Sequence, residues 1–331
     1  QQGGLSFFDL LKVYNNGVLP SAYGNNPNTK YLNLLVPPPS GQEVRGIISA
    51  LMKALGVNAN ITPFSSLRPD EAIVFVGRTP PECRYFSFDL YLMERTYGNE
   101  TRWIYANLGD TLNHLVINTE GTPERQPGNP FNQTTIVVTT ADKGIDQRIR
   151  AAAQSAGYSD GIINTQVIPS AMVNMGVEND SDSFNVLLRP TQFTDEQSGN
   201  NYIANPPAAV FRVTPNETAP LDPYDMPKLR VRGTGTTEFD LMDDLEELRI
   251  AILDKYADLN ATELPTSQIM AVGSDALQRG IDAYGPPNDC CYLWTGNQTV
   301  SSQTPPFPDL TQYYGFLRDQ EMERSEEHTS E

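Results

Sequence analysis

The chain has 331 residues, 41 acidic and 23 basic, with a formal charge of −18. That length allows one large domain or two modest ones, and 39% hydrophobic content with 9% aromatics supports a core and excludes wholesale disorder. The acidic balance excludes a phosphate-backbone partner such as nucleic acid, and the apolar runs fall short of the roughly 18–20 residues of a transmembrane segment.

Residues 5–14 (LSFFDLLKVY) read as a short amphipathic helix. After Pro37-Pro38-Pro39, Ser40-Gly41-Gln42-Glu43 forms a capping box. It opens a helix to Gly56 with Val44, Ile47, Leu51 and Leu55 on one face, so residues 1–69 read as an N-terminal helical region. From Ala72 the period changes to two, and AIVFVG reads as a buried strand. Residues 84–93 place Phe86, Phe88, Leu90 and Leu92 on one face and Tyr85, Ser87, Asp89 and Tyr91 on the other, the pattern of a half-exposed sheet. A turn at Gly98-Asn99 joins this strand to RWIYAN (102–107) as a hairpin. Residues 108–118 fit a helical turn or a strand.

TTIVVTT (134–140), a helix over 143–156 and IINTQVI (162–168) form a β-α-β unit. FNVLLRPTQF (184–193), a polar turn at 194–201 and AAVFRVT read as an antiparallel pair. The fold class expected is α+β, a mixed and antiparallel sheet with one β-α-β unit and several packing helices, its core over 70–213. Pro215, Pro220, Pro223 and Pro227 make 214–227 a Pro-rich connection. Beyond it, 228–323 reads as a helix-containing part packed on the core, with a helix at about 238–258 turning Leu241, Leu245, Leu248 and Ile252 inward. The last eight residues, Arg324 to Glu331 (RSEEHTSE), resemble a translated sequencing adapter. Without them the charge is −16, His114 is the single histidine, and the chain reads as a truncated fragment.

Seven Asn-x-Ser/Thr sequons occur, at Asn60, Asn99, Asn132, Asn179, Asn216, Asn260 and Asn297. That is about twice the number that 25 Asn and 46 Ser plus Thr would give by chance. It points to a secreted or cell-surface glycoprotein. Cys290 and Cys291 are adjacent, with Cα atoms about 3.8 Å apart, too close to pair with each other. Cys83 bonds to one of them, or all three are buried thiols; both readings stay open.

Candidate chemistry is sparse. If 109–114 is helical, Asp110 and His114 share a face, a carboxylate orienting an imidazole as general bases require. No Gly-x-Ser-x-Gly elbow accompanies them. Asp142 ends a strand and opens a helix, a position where ligands gather, and it is equally accounted for as an N-cap. Lys228, Arg230 and Arg232 alternate on one strand face, where they could hold an anion or guard a sheet edge. Asn179-Asp180-Ser181-Asp182 lacks the glycine and distal glutamate of a calcium loop, and nothing calls for a metal or another cofactor.

With Pro80-Pro81-Glu82-Cys83-Arg84-Tyr85-Phe86-Ser87-Phe88, Leu108-Gly109-Asp110-Thr111-Leu112-Asn113 and Thr139-Thr140-Ala141-Asp142, the chain resembles an uncharacterised group of exported bacterial and eukaryotic proteins with an RYFSF-type strand. The resemblance covers roughly 70–315 and implies an exported α+β protein, with no activity or catalytic residues attached. Two functions follow. The first is a secreted or cell-surface glycoprotein binding an anionic glycan or small molecule through Lys228, Arg230 and Arg232. The alternative is a secreted hydrolase using His114 with Asp110 and Asp142, and Arg84 beside them.

Overall fold

A computed structural model describes residues 1–15, 28–44, 60–217, 219–226, 242–259, 266–268, 273–283, 285 and 293–295. The chain divides into two compact units, one of residues 1–228 with 272–290 and one of 229–271 with 291–331.

The first unit holds two sheets. β3 (Ala72–Arg78), β7 (Thr134–Thr140), β8 (Ile163–Val167) and β10 (Ala208–Val213) form a four-stranded sheet in the order β10-β3-β7-β8. Only β7 and β8 are parallel. The expected β-α-β unit is therefore present, its crossover being α2 (Lys143–Ser155). α2 starts where it should because Asp142 caps it, accepting from the Ile145 N–H at 2.9 Å. Its apolar side, Ile145 and Ile149, packs on Ala72, Val74, Ile136, Val138 and Ile163.

β1 (Gly4–Phe7), β2 (Leu32–Leu35), β9 (Ser183–Phe193), β4 (Cys83–Tyr97) and β5 (Glu100–Asn107) form the second, antiparallel sheet, with β6 (Leu112–Asn113) also on β4. β4 and β5 are the expected hairpin, and Gly98 at φ +62° takes the left-handed conformation its two-residue turn demands. The sheets meet face to face. Phe75 of β3 packs edge-on against Phe88 of β4 at 5.0 Å, and the Gln166 amide donates to the Phe88 carbonyl. Architecture is α+β, sheet-dominated, as the periodicities indicate.

Period two sorts β10 between the two faces of its sheet. Val210 and Arg212 pair with Phe75 and Ile73 and are fully buried, whereas Phe211 and Val213 face the α2 side and are half-buried. Arg212 Nε and Nη2 donate to both oxygens of Glu71, and its remaining donors reach the carbonyls of Pro37 and Ser66. Burial by itself would raise the Glu71 pKa; the bonds from Arg212 and Thr214 outweigh it and hold the carboxyl below its ordinary value.

Several sequence expectations give way here. Residues 5–14 split into β1 and a short helix α1 (Leu10–Asn15), because the alternating Leu5 and Phe7 join a sheet edge. The region 1–69 thus contributes strands, and the helix expected from Ser40 to Gly56 falls mostly outside the described residues. The β4 face carrying Ser87, Asp89 and Tyr91 is buried, not half-exposed. β9 and β10 do not pair with each other: β9 lies between β2 and β4, β10 beside β3, and the turn between them is helix α3 (Glu196–Ala204) capped by Asp195. The Pro-rich connection is docked to its own unit. The Tyr224 hydroxyl donates to Asp146 at 2.7 Å and the Tyr224 N–H donates to the Ala141 carbonyl.

From the later part of the chain, α5 (Gly273–Arg279) and the residues after it belong to the first unit. The Tyr97 hydroxyl donates to the Leu277 carbonyl, and Ala283 N–H donates to the Ile104 carbonyl. In the second unit the described residues are α4 (Met242–Lys255), a short 3-10 turn after it, and the antiparallel pair β11 (Thr266–Gln268) and β12 (Leu293–Thr295). Leu245, Leu248 and Ile252 of α4 are 55%, 56% and 46% exposed, so the inward apolar face expected there is not buried, and Leu241 lies outside the described residues. Among the described residues no helix is long and apolar enough to cross a membrane.

Candidate functional site

α2 packs over β7, β8 and the Ala72 and Val74 end of β3, and leaves Val76 of β3 and Phe211 and Val213 of β10 half-buried. The residues it presents along that flank are small, Ala152, Ala153 and Ala156, so it stands beside the sheet without filling the space over it. The result is a groove of about 440 Å³ floored by Val74, Val76, Phe211 and Val213. A second depression of about 560 Å³ continues it, sharing Val76, Tyr158 and Phe211 and reaching Arg78 and Ala208. Gly77 permits that continuation: a Cβ there would lie 2.5 Å from the Ala208 side chain, so any larger residue would push β10 off its neighbour.

The charges along this groove are one-sided. In a chain of formal charge −18, the charged residues lining the two depressions are, among the described residues, Arg148 and Arg78, with no carboxylate beside them. Arg148 is exposed and, among the described residues, makes no ion pair. Arg78 is exposed and donates to the Asn132 side-chain oxygen at 3.2 Å. Thr214, Pro215 and Asn216 line the other lip. An apolar floor with a few polar groups at its rim is the common build of small-molecule sites. Here it can take an apolar chain or ring and set an anionic group against a guanidinium.

The residues singled out from sequence are placed elsewhere and apart. Asp110 and His114 do not share a helix face, because Leu112 and Asn113 pair with Phe88 and Ser87 and His114 N–H donates to the Phe86 carbonyl. The His114 ring stacks on Phe131 at 5.8 Å and meets Tyr85 edge-on at 5.6 Å. Its Nδ1 is buried without a hydrogen-bond partner, and burial lowers its pKa. Among the described residues no carboxylate bonds this imidazole, so the Asp110–His114 pair on which the hydrolase reading rests is not formed. Asp142 is occupied at both oxygens by backbone N–H groups, of Ile145 and Asp222, and the crevice at the end of β7 is filled by residues 222–224. Arg84 is exposed on β4.

Lys228, Arg230, Arg232, Cys290, Cys291, Asn260 and Asn297 lie outside the described residues. Cys83 is a buried thiol 3.3 Å from the Tyr85 carbonyl, and burial pushes its pKa up to about 11, which leaves it unreactive as a nucleophile. The five described sequon asparagines, Asn60, Asn99, Asn132, Asn179 and Asn216, are all exposed. Among the described residues no group of His, Cys, Asp and Glu is placed to hold a metal ion.

Sequence reasoning missed two features. The groove gave a partial signal, since Phe211 and Val213 alternate with Val210 and Arg212, but the sequence did not say that the described residues would leave them half-buried. The other is a buried polar cluster on β4 and β9. Asp89, fully buried, accepts from Ser87 Oγ at 2.7 Å and lies 3.8 Å from Arg189, whose guanidinium also sits over the Tyr31 ring. No protein-family model matches this chain, and no curated protein or solved structure is significantly similar to it.

Proposed function

We propose that the chain belongs to an exported glycoprotein that acts by binding, and that the groove beside α2 takes an amphipathic ligand with an anionic group. The observation that carries this reading is the pairing of an apolar floor with arginines as the only charged lining among the described residues, in a strongly acidic chain. Export is supported by the exposure of every described sequon asparagine. The anionic ligand anticipated for Lys228, Arg230 and Arg232 is thereby given a second possible seat, at Arg148 and Arg78.

The magnitudes are adequate for a soluble ligand. Covering about 200 Å² of apolar surface contributes about 5 kcal/mol, and a charge-assisted hydrogen bond about 1.5–3 kcal/mol more. Together these correspond to dissociation constants on the order of 1–10 µM before ordering costs, and weaker after them. The test is calorimetric titration of the unglycosylated chain with laurate, below its micellar concentration, against dodecanol as the uncharged control. Laurate is expected to bind, with Arg148→Glu weakening it about tenfold, or about 1.4 kcal/mol. Equal affinity for both compounds, or an unchanged constant in Arg148→Glu, would remove the anion from the reading. Material from a secretory host should also lose mass on deglycosylation.

A further inference from the structure

We infer that Asn216 carries an N-glycan that lies over the groove as a lid, so that glycosylation at this one position sets how freely ligand enters. The inference rests on the binding reading above. Asn216 is exposed, begins the sequon Asn216-Glu217-Thr218, and lines the groove three residues beyond Val213 of its floor. It is the only described sequon asparagine that does so: Asn99 sits at the tip of the β4–β5 hairpin, and Asn60 and Asn179 are on loops that contribute nothing to the lining. Asn132 touches the groove only through its contact with Arg78.

The chemistry at Asn216 is the ordinary transfer. The C1–O bond of a lipid-pyrophosphate-linked oligosaccharide breaks, a C1–Nδ2 bond to the asparagine forms, the amide gives up one proton, and the lipid pyrophosphate leaves. The first sugar is then tethered at the lip of an apolar groove. A pyranose has one face of C–H groups, and its N-acetyl methyl is apolar, so folding back over the groove removes apolar surface of both partners from water. The groove offers the matching surface in Phe211, Val213 and Tyr158, the last 36% exposed. The polar face of the sugar stays in water, and Arg148 at the rim loses nothing because the sugar is neutral.

The test compares three forms of the full chain from a glycosylating host: unaltered, Asn216→Gln, and Asn99→Gln. Intact mass reads occupancy, iodination of Tyr158 reads cover over the groove, and titration with laurate reads access. We expect a glycan at Asn216, and Tyr158 iodinated several times faster in Asn216→Gln. Apparent laurate affinity should rise about fivefold or more in the same variant, as for a site closed at least about four-fifths of the time. Asn99→Gln should lose a glycan and change neither rate nor affinity. An unmodified Asn216, or equal iodination with and without its glycan, overturns the lid. A Tyr158 protected by the glycan, with laurate binding to no form, instead upholds the lid and overturns the ligand assigned to the groove.

Discussion

The two faces of the four-stranded sheet are built from the same strands yet do different work. Its inner face carries Ile73, Phe75, Val137, Val210 and Arg212, all shut against the six-stranded sheet, and even the charges there are fully answered. Its outer face carries Val74, Val76, Phe211 and Val213; Val74 is buried with Ile145 and Ile149 of α2, whereas Val76, Phe211 and Val213 are half-buried. Apolar content is similar on both. What differs, among the described residues, is how far each face is covered, and the contrast teaches that a strand's alternation fixes which residues share a face, while the cover over that face is decided by elements far away in sequence.

The largest expected effect is on the closed side. Arg212→Ala leaves the Glu71 carboxylate buried and unanswered, and breaking such a pair costs about 3–5 kcal/mol. Denaturant unfolding of the variant should therefore show a midpoint far below that of the unaltered chain. The pH dependence has a definite sign. The Glu71 carboxyl sits below its ordinary value of 4.5 in the folded protein, so its contribution is complete above pH 4.5 and fades as the pH falls through the folded value. Unfolding midpoints of the two proteins should draw together as the pH falls, beginning above 4.5 because the buried, unpaired Glu71 of the variant takes up its proton earlier. A constant gap from neutral pH down to pH 3 would mean the pair is not titrating as a unit.

Asp142→Ala gives a smaller effect, about 1–2 kcal/mol, since it removes an N-cap and also frees the Asp222 N–H that docks the Pro-rich segment. Asp142→Asn keeps one acceptor, enough for the Ile145 N–H of the cap, but turns an amide donor toward the Asp222 N–H, so it should recover only part of the loss. If Asp142 were instead a catalytic group, the asparagine variant would lose a function out of proportion to its stability; partial recovery of stability with laurate binding intact supports the cap.

How much of this was legible in the sequence follows from range. Asp142, the Ile145–Ile149 face and the β7 and β8 strands were readable because cap, helix period and strand period all act within a few residues. The Gly98-Asn99 hairpin was readable for the same reason. Pairing of β9 with β2 and β4 was not: Leu188 finds Leu32 across more than 150 residues, and a polar stretch between β9 and β10 looks like a hairpin turn until its Asp195 is seen to cap a helix. The burial of Arg212 in AAVFRVT was not readable because its partner, Glu71, is 141 positions away. His114 looked like a base because a spacing of four suggests a helix, whereas the edge of β4 captured that segment as strand.

The smallest expected effect on stability is the sharpest test of the two-face comparison, because it uses adjacent residues. Val210 is fully buried on the inner face, and Val210→Ser should cost about 2–3 kcal/mol through lost apolar burial and a hydroxyl without a partner. Phe211 is half-buried in the groove floor, with water already on one side, so Phe211→Ser should cost about 1 kcal/mol or less despite deleting the larger side chain. Laurate binding reverses the ranking, since the groove loses its aromatic floor at Phe211 and nothing at Val210. If Phe211→Ser unfolded the chain as readily as Val210→Ser, the outer face would have to be as closed as the inner one, and a ligand would have no surface left to cover.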